Sequence, residues 1–212
     1  MSTSRLIRWS GLSLLLGGTC IAAFVLVHPQ GEFTANVMAS GIAELAHTFH
    51  FVGATLAVFG LVGLLLRQME HGGRLGLIGV LLAFFGTIWF AGLGLMSFAA
   101  LPFIARHDPA LLAPSGAYWN DPPNPVFLLG LVFFALGYVV LGIAILRGVG
   151  LPRWSGLLLI VGAVLSSPPP VVVPTVLILT AGGVLLGVGL AWLGYALWSE
   201  KGEKPVQPKT RV

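Results

Sequence analysis

Charged side chains are scarce in this chain. Only 8% of its 212 residues are charged and 57% are hydrophobic, whereas soluble domains carry roughly a quarter charged residues. A dissolved protein needs polar side chains at its surface, and this chain has too few of them. The composition therefore excludes an ordinary soluble domain and predicts a polytopic helical membrane protein whose first partner is the lipid bilayer.

Several chemistries are also excluded by what the sequence lacks. Cys20 is the single cysteine, so neither an intramolecular disulfide nor a metal cage built only of cysteines can form. None of the 29 glycines follows a strand and opens a helix with phosphate-loop spacing, which argues against a nucleotide site. No acid or base lies deep within an apolar run, and this disfavours an ion-coupled pump.

Apolar runs long enough to cross a bilayer recur along the chain, and we predict an all-α bundle. A helix needs about 20 residues to cross. The predicted spans lie at about 9–27, 46–66, 75–101, 126–146, 152–167 and 175–198. The fifth is short and ends in "SSPPP", where proline prevents the helix from continuing. Residues 199–212 form a polar tail that we expect to be disordered.

The basic residues predict the orientation of the bundle. Ten of the eleven Lys and Arg residues lie at the termini and in the loops after the second and fourth spans, and only Arg106 lies on the other side. By the positive-inside rule both termini are cytoplasmic. The net charge of +4 is explained by these flanking residues, so it gives no reason to expect a nucleic-acid partner. In a bacterium the protein would lie in the inner membrane.

An internal similarity suggests a repeated unit. The segment "RWSGLSLLLG" at 8–17 matches "RWSGLLLIVG" at 153–162 in seven of ten positions, and "GGRLGLIGVLL" at 72–82 is a weaker third copy. This pattern favours three two-helix hairpins related by an axis along the membrane normal. The alternative is that Arg-Trp-Ser-Gly is merely a good start for a helix at the membrane interface.

Histidines collect at the predicted outer end of the bundle. The segment "IAELAHTFHFVG" at 42–53 places Glu44, His47 and His50 at three-residue spacing. At about 100° per residue, both histidines share a helix face with Ala54, Ala57 and Leu61. We therefore expect His47 and His50 to face the other helices and Phe49, Val52, Leu56 and Phe59 to face lipid. His28 ends the first span on the same side.

These residues suggest a cofactor site. Imidazole is a common ligand of transition metals and of haem iron, and a Glu-x-x-His pair on a helix presents both side chains to one point. The predicted metal ligands are Glu44, His47, His50 and His28, and the three histidines are also the predicted contacts of a haem. Contributors from the long loop at 102–125 would be His107, Asp108, Trp119 and Asp121. The alternative is that the histidines are ordinary interface residues and that Glu44 favours the positive end of its helix.

Several functions are consistent with these features. The first is a membrane binding or accessory subunit that holds a metal or haem at the outer end, alone, as a homo-oligomer or inside a larger membrane complex. The second is a small-solute transporter or substrate-capture component, which predicts a cavity between the spans. An enzyme that uses the histidines as acid-base groups lacks a paired nucleophile. A scaffold subunit without a cofactor is the remaining alternative.

Overall fold

The computed structural model of the protein describes residues 2–29, 34–71, 73–113, 116–117, 125–167 and 176–199. All regular structure within these residues is helical. The helices are α1 (Thr3–Val27), α2 (Ala35–Met38), α3 (Gly41–His71), α4 (Gly73–His107), α5 (Pro125–Arg147), α6 (Arg153–Ser166) and α7 (Val176–Ser199), and a 3-10 helix covers Pro109–Leu112. The predicted all-α architecture is thus confirmed for this part of the chain.

Five of the helices, α1, α3, α4, α5 and α7, are long and apolar enough to cross a membrane. Helix α6 has 14 residues and so extends about 21 Å at 1.5 Å per residue, less than the roughly 30 Å of a bilayer core. It ends at Ser166, where the sequence predicts a break before the proline triplet. Its membrane crossing, which is the fifth predicted span, and with it the total of six spans, remains a prediction. The tail after Ser199 lies outside the described residues.

The six longer helices form a closed ring. Each packs against the next in chain order, from α1 to α3, α4, α5, α6 and α7, and α7 returns to pack against α1. The main apolar core lies between these helices and includes Leu14, Leu61, Leu141, Leu159 and Leu190. A smaller cluster joins α2, the end of α4 and the 3-10 helix through Met38, Leu101, Ala105 and Leu112.

Glycines allow α1 and α7 to close the ring. A Cβ on Gly11 would lie 2.8 Å from the carbonyl oxygen of Gly194, and one on Gly187 would lie 2.6 Å from that of Gly18. The two helices run antiparallel, with backbone against backbone at both points. In lipid no hydrophobic force drives helices together, so close backbone approach of this kind supplies van der Waals packing instead.

The two copies of the Arg-Trp-Ser-Gly segment lie in similar surroundings. Ser10 and Ser155 are both buried, whereas Trp9 and Trp154 are both exposed. Seven positions after each serine, Gly17 packs closely on α3 and Gly162 packs closely on α7, in each case the next helix of the ring. These contacts agree with repeated hairpins, which remain a prediction.

One buried hydrogen bond links α4 to α5. The Thr87 hydroxyl donates to the Ala83 carbonyl at 2.6 Å, so the Tyr138 hydroxyl, 2.7 Å away, donates to Thr87. Tyr138→Phe is expected to lower the free energy of unfolding by roughly 0.6 kcal/mol, the average for such bonds between membrane helices. Unfolding in mixed micelles of increasing denaturing detergent would measure it. The double variant Thr87→Val/Tyr138→Phe is the check. If its loss in free energy of unfolding equals or exceeds the sum of the losses in the two single variants, the bond contributes nothing.

Candidate ligand-binding site

Three histidines from two helices meet at one end of the ring. His28 directly follows α1, and His47 and His50 lie in the second and third turns of α3. Helix α3 begins where the Ser40 hydroxyl accepts a hydrogen bond from the Ala43 backbone N–H at 3.3 Å, a standard N-terminal cap. We call His28, His47 and His50 the histidine cluster.

The Phe24 ring lies at the centre of the histidine cluster. Its centre is 5.3 Å from that of His28, 6.1 Å from that of His47 and 4.4 Å from that of His50, on which it stacks. His28 and His47 also touch edge to face at 5.1 Å, and the Phe90 ring of α4 lies 4.0 Å from His50. The sequence prediction that His47 and His50 face the bundle is confirmed, since both are buried. Of the four residues expected to face lipid, Val52 and Phe59 are exposed, whereas Phe49 and Leu56 are half-buried.

The ring nitrogens of His47 and His50 lack hydrogen-bond partners. All four are buried, and none bonds to any described residue. The Phe90 backbone lies near His50 without the geometry of a hydrogen bond. A buried polar group left without a partner costs about 1–3 kcal/mol, and such groups are rare in native proteins. This pair of imidazoles therefore requires an explanation.

His28 is held in one orientation by its own backbone. Its Nδ1 lies 3.1 Å from the Pro29 carbonyl oxygen, and because a carbonyl only accepts, Nδ1 carries the proton. Burial lowers the pKa of His28, and the hydrogen bond to Pro29 opposes this shift. Near neutral pH the His28 ring is therefore uncharged.

A cavity of about 300 Å³ lies beside the histidine cluster. We call it the aromatic cavity, because Phe24, Trp89, Phe90 and Phe134 line it. Its polar side chains are those of His28, Trp89, Ser166, Ser167 and Thr180, and no charged side chain is found among the described residues of its wall. The cavity lies between helices, as the transporter hypothesis requires, and that hypothesis stays a prediction.

Most of this wall could not be identified from the sequence. Trp89 and Phe90 come from α4, Phe134 from α5 and Thr180 from α7, and nothing in the local pattern of any of them distinguishes them from lipid-facing residues. The one usable signal was His28 at the end of α1. Phe24 of α1 and Trp89 of α4 lie far apart in the sequence, and only packing brings them together.

The remaining predicted ligands lie elsewhere. Glu44 forms a partly exposed ion pair with Arg106, with Oε1 and Nη1 3.6 Å apart. His107 is exposed at the end of α4, where it contacts Phe103 of the same helix, and Asp108 is exposed beside it. Trp119 and Asp121 lie outside the described residues. Within the described part of the chain, no three His, Cys, Asp or Glu side chains are arranged to hold a metal ion.

Comparison with known proteins gives no relative. No family model matches the chain, and no curated protein or solved structure matches it either. The functional argument therefore rests on the geometry of the histidine cluster and the aromatic cavity.

Proposed function

We propose that this protein is a membrane binding protein that holds a neutral, lipid-soluble small molecule in the aromatic cavity. The observation that carries the proposal is the cavity itself. Its volume of about 300 Å³ is at the lower end of the range for small-molecule sites, which are mostly apolar with a few polar groups. A ring system the size of two fused benzene rings suits such a space.

The chemistry of the wall favours a neutral ligand. A charged group that moves from water into an apolar site without a partner loses its hydration. The free energy lost in this way is far larger than the free energy gained by burying an apolar ring. The described wall offers no opposite charge. It offers instead the faces and edges of four aromatic rings, which pack well against a planar ligand.

The basic residues support a position for the site on the outer side of the membrane. The arginines at 5, 8, 67, 74, 147 and 153 lie at the helix ends opposite the histidine cluster. This distribution supports cytoplasmic termini and a histidine cluster on the outer side. In a bacterium the ligand would be held near the periplasmic face of the inner membrane, by the chain alone, by a homo-oligomer or within a larger membrane complex.

Filling the cavity tests the proposal. Leu179 lines the aromatic cavity, and Leu179→Trp is expected to abolish the thermal stabilisation that 1-methylnaphthalene gives to the wild-type protein. A ligand at 100 times its dissociation constant stabilises by about 2.7 kcal/mol. The melting temperature in detergent, followed with and without the probe, is the measurement.

A control on the same helix makes this result specific. Leu177 is 79% exposed, so Leu177→Trp adds the same ring to α7 without entering the cavity and should keep the full response to the probe. If wild type and Leu177→Trp show no stabilisation at any soluble concentration of 1-methylnaphthalene, the cavity does not bind such molecules and the proposal fails.

A transition metal bound by His47 and His50, with its other ligands from outside the described residues, is the second candidate. The unpartnered nitrogens of His47 and His50 favour it, because neutral imidazole offers a lone pair to a metal. The haem predicted at His28, His47 and His50 stays a prediction. Elemental analysis of the purified protein tests the metal, and a stoichiometric amount that is lost in His47→Leu/His50→Leu would support it.

A further inference from the structure

The Phe24 ring separates two parts of one region. The Phe24 ring lines the aromatic cavity. The same ring stacks on that of His50, with the ring centres 4.4 Å apart, and its centre lies 6.1 Å from that of His47. Neither imidazole is part of the cavity wall. Phe24, together with Phe90 and His28 of the same wall, therefore lies between an apolar space and a pair of buried polar rings.

The buried imidazoles have a defined hydrogen-bonding capacity. Each neutral ring has one N–H donor and one lone-pair acceptor. No described residue uses any of the four nitrogens of His47 and His50. The two exposed charges near this end, Glu44 and Arg106, pair with each other, so they do not occupy these nitrogens. A partner for these nitrogens would come from outside the described residues.

A hydroxyl group matches this capacity. It accepts a hydrogen bond from an imidazole N–H and donates one to an imidazole lone pair, whereas a carbonyl only accepts and an ammonium only donates. A carboxylate would bring a charge that the described surroundings do not neutralise. Bound by a ligand hydroxyl, the two imidazoles would no longer carry the full cost of burial without partners.

We propose that His47 and His50 form a polar subsite of the aromatic cavity, reached when the Phe24 ring turns aside, and that the ligand is a lipid-soluble ring compound with a hydroxyl group, such as a phenol or quinol. This inference rests on the proposed function, since it assigns the ligand class of the same site. The ring of the ligand lies among Trp89, Phe90 and Phe134, and its hydroxyl bonds to the imidazoles.

A pair of probes of nearly equal shape tests the subsite. 1-Naphthol and 1-methylnaphthalene differ by a hydroxyl in place of a methyl group. The dissociation constants of both are measured on the full chain in detergent, through quenching of tryptophan fluorescence. In each protein, the dissociation constant of 1-methylnaphthalene is divided by that of 1-naphthol. This ratio is expected to be about tenfold higher in wild type than in His47→Leu/His50→Leu, because the variant loses the preference for the hydroxyl. Dividing the ratios removes differences in how the probes partition into micelles.

The control variant and the outcomes separate this inference from the proposed function. His107→Leu removes an exposed histidine outside the cluster and should keep the wild-type ratio. If both probes bind but the double variant keeps that ratio, the subsite is overturned while the cavity proposal stands. If neither probe binds wild type, the proposed function fails and the subsite fails with it.

A second measurement keeps the inference testable if the double variant does not fold. In wild-type protein labelled with ¹⁵N in histidine, the imidazole resonances of His47 and His50 are expected to shift on addition of 1-naphthol and to remain in place with 1-methylnaphthalene. Their assignment follows from the signals lost in His47→Gln and His50→Gln. Equal responses to the two probes would overturn the subsite.

Discussion

Gly18→Leu is expected to open the helical ring and to lower the free energy of unfolding by more than about 3 kcal/mol, the upper part of the usual range for overpacking. A Cβ on Gly18 would lie 2.5 Å from the Ala191 backbone nitrogen and closer still to the Gly187 carbonyl. Backbone atoms cannot move aside as a flexible side chain can. The helices α1 and α7 must therefore separate, and the ring loses its closing contact.

The matched control is a glycine of α4 with open space around it. No atom lies within 4 Å of a Cβ placed on Gly92, so Gly92→Leu should leave the free energy of unfolding unchanged or slightly higher. Detergent-driven unfolding and gel filtration report on stability and on aggregation of an opened ring. A Gly18→Leu protein as stable and monodisperse as Gly92→Leu would show that the described contact between α1 and α7 does not hold the bundle closed.

His50→Leu is expected to have the opposite effect and to stabilise the ligand-free protein by about 1–3 kcal/mol, the usual cost of a buried polar group without partners. Leucine is similar in volume to histidine and has no nitrogen that needs a partner. The surroundings of His50 suit an apolar side chain, because Phe24 and Phe90 pack on its ring. The gain would be measured as a higher melting temperature.

His107→Leu is again the control, since this exposed side chain should change the melting temperature little. If His50→Leu is instead destabilised by as much as an ordinary core truncation, the imidazole already has a partner in the purified protein. Elemental analysis would then decide between a metal and a bound organic molecule, and the metal-site candidate would gain support.

The helices could be predicted from the sequence, but their full lengths could not. The second span was predicted at 46–66, whereas α3 covers Gly41–His71, and the third at 75–101, whereas α4 covers Gly73–His107. Hydropathy marks the stretch that suits lipid, and a helix continues beyond it until a cap or a turn ends it. Ser40 provides such a cap for α3.

The candidate site was predictable only where it depended on the periodicity of one helix. The burial of His47 and His50 follows from the helical rotation of about 100° per residue, which puts them on one face with Ala54 and Ala57, and the structure confirms it. The pairing of Glu44 with Arg106 joins residues 62 positions apart, and no local pattern indicates it. The aromatic cavity is a property of the space between helices, which depends on how they pack and not on any single segment.

The contact between α1 and α7 has a topological consequence. The Arg8 guanidinium donates from Nε to the Trp198 carbonyl at 3.3 Å, so the end of α7 lies beside the beginning of α1. A circular permutant could join the end of α7 to the beginning of α1 through a linker and could begin between α5 and α6. Each of its helices would have the same neighbours in the ring. The order in which the helices are synthesised and inserted is therefore separable from the order in which they stand around the ring.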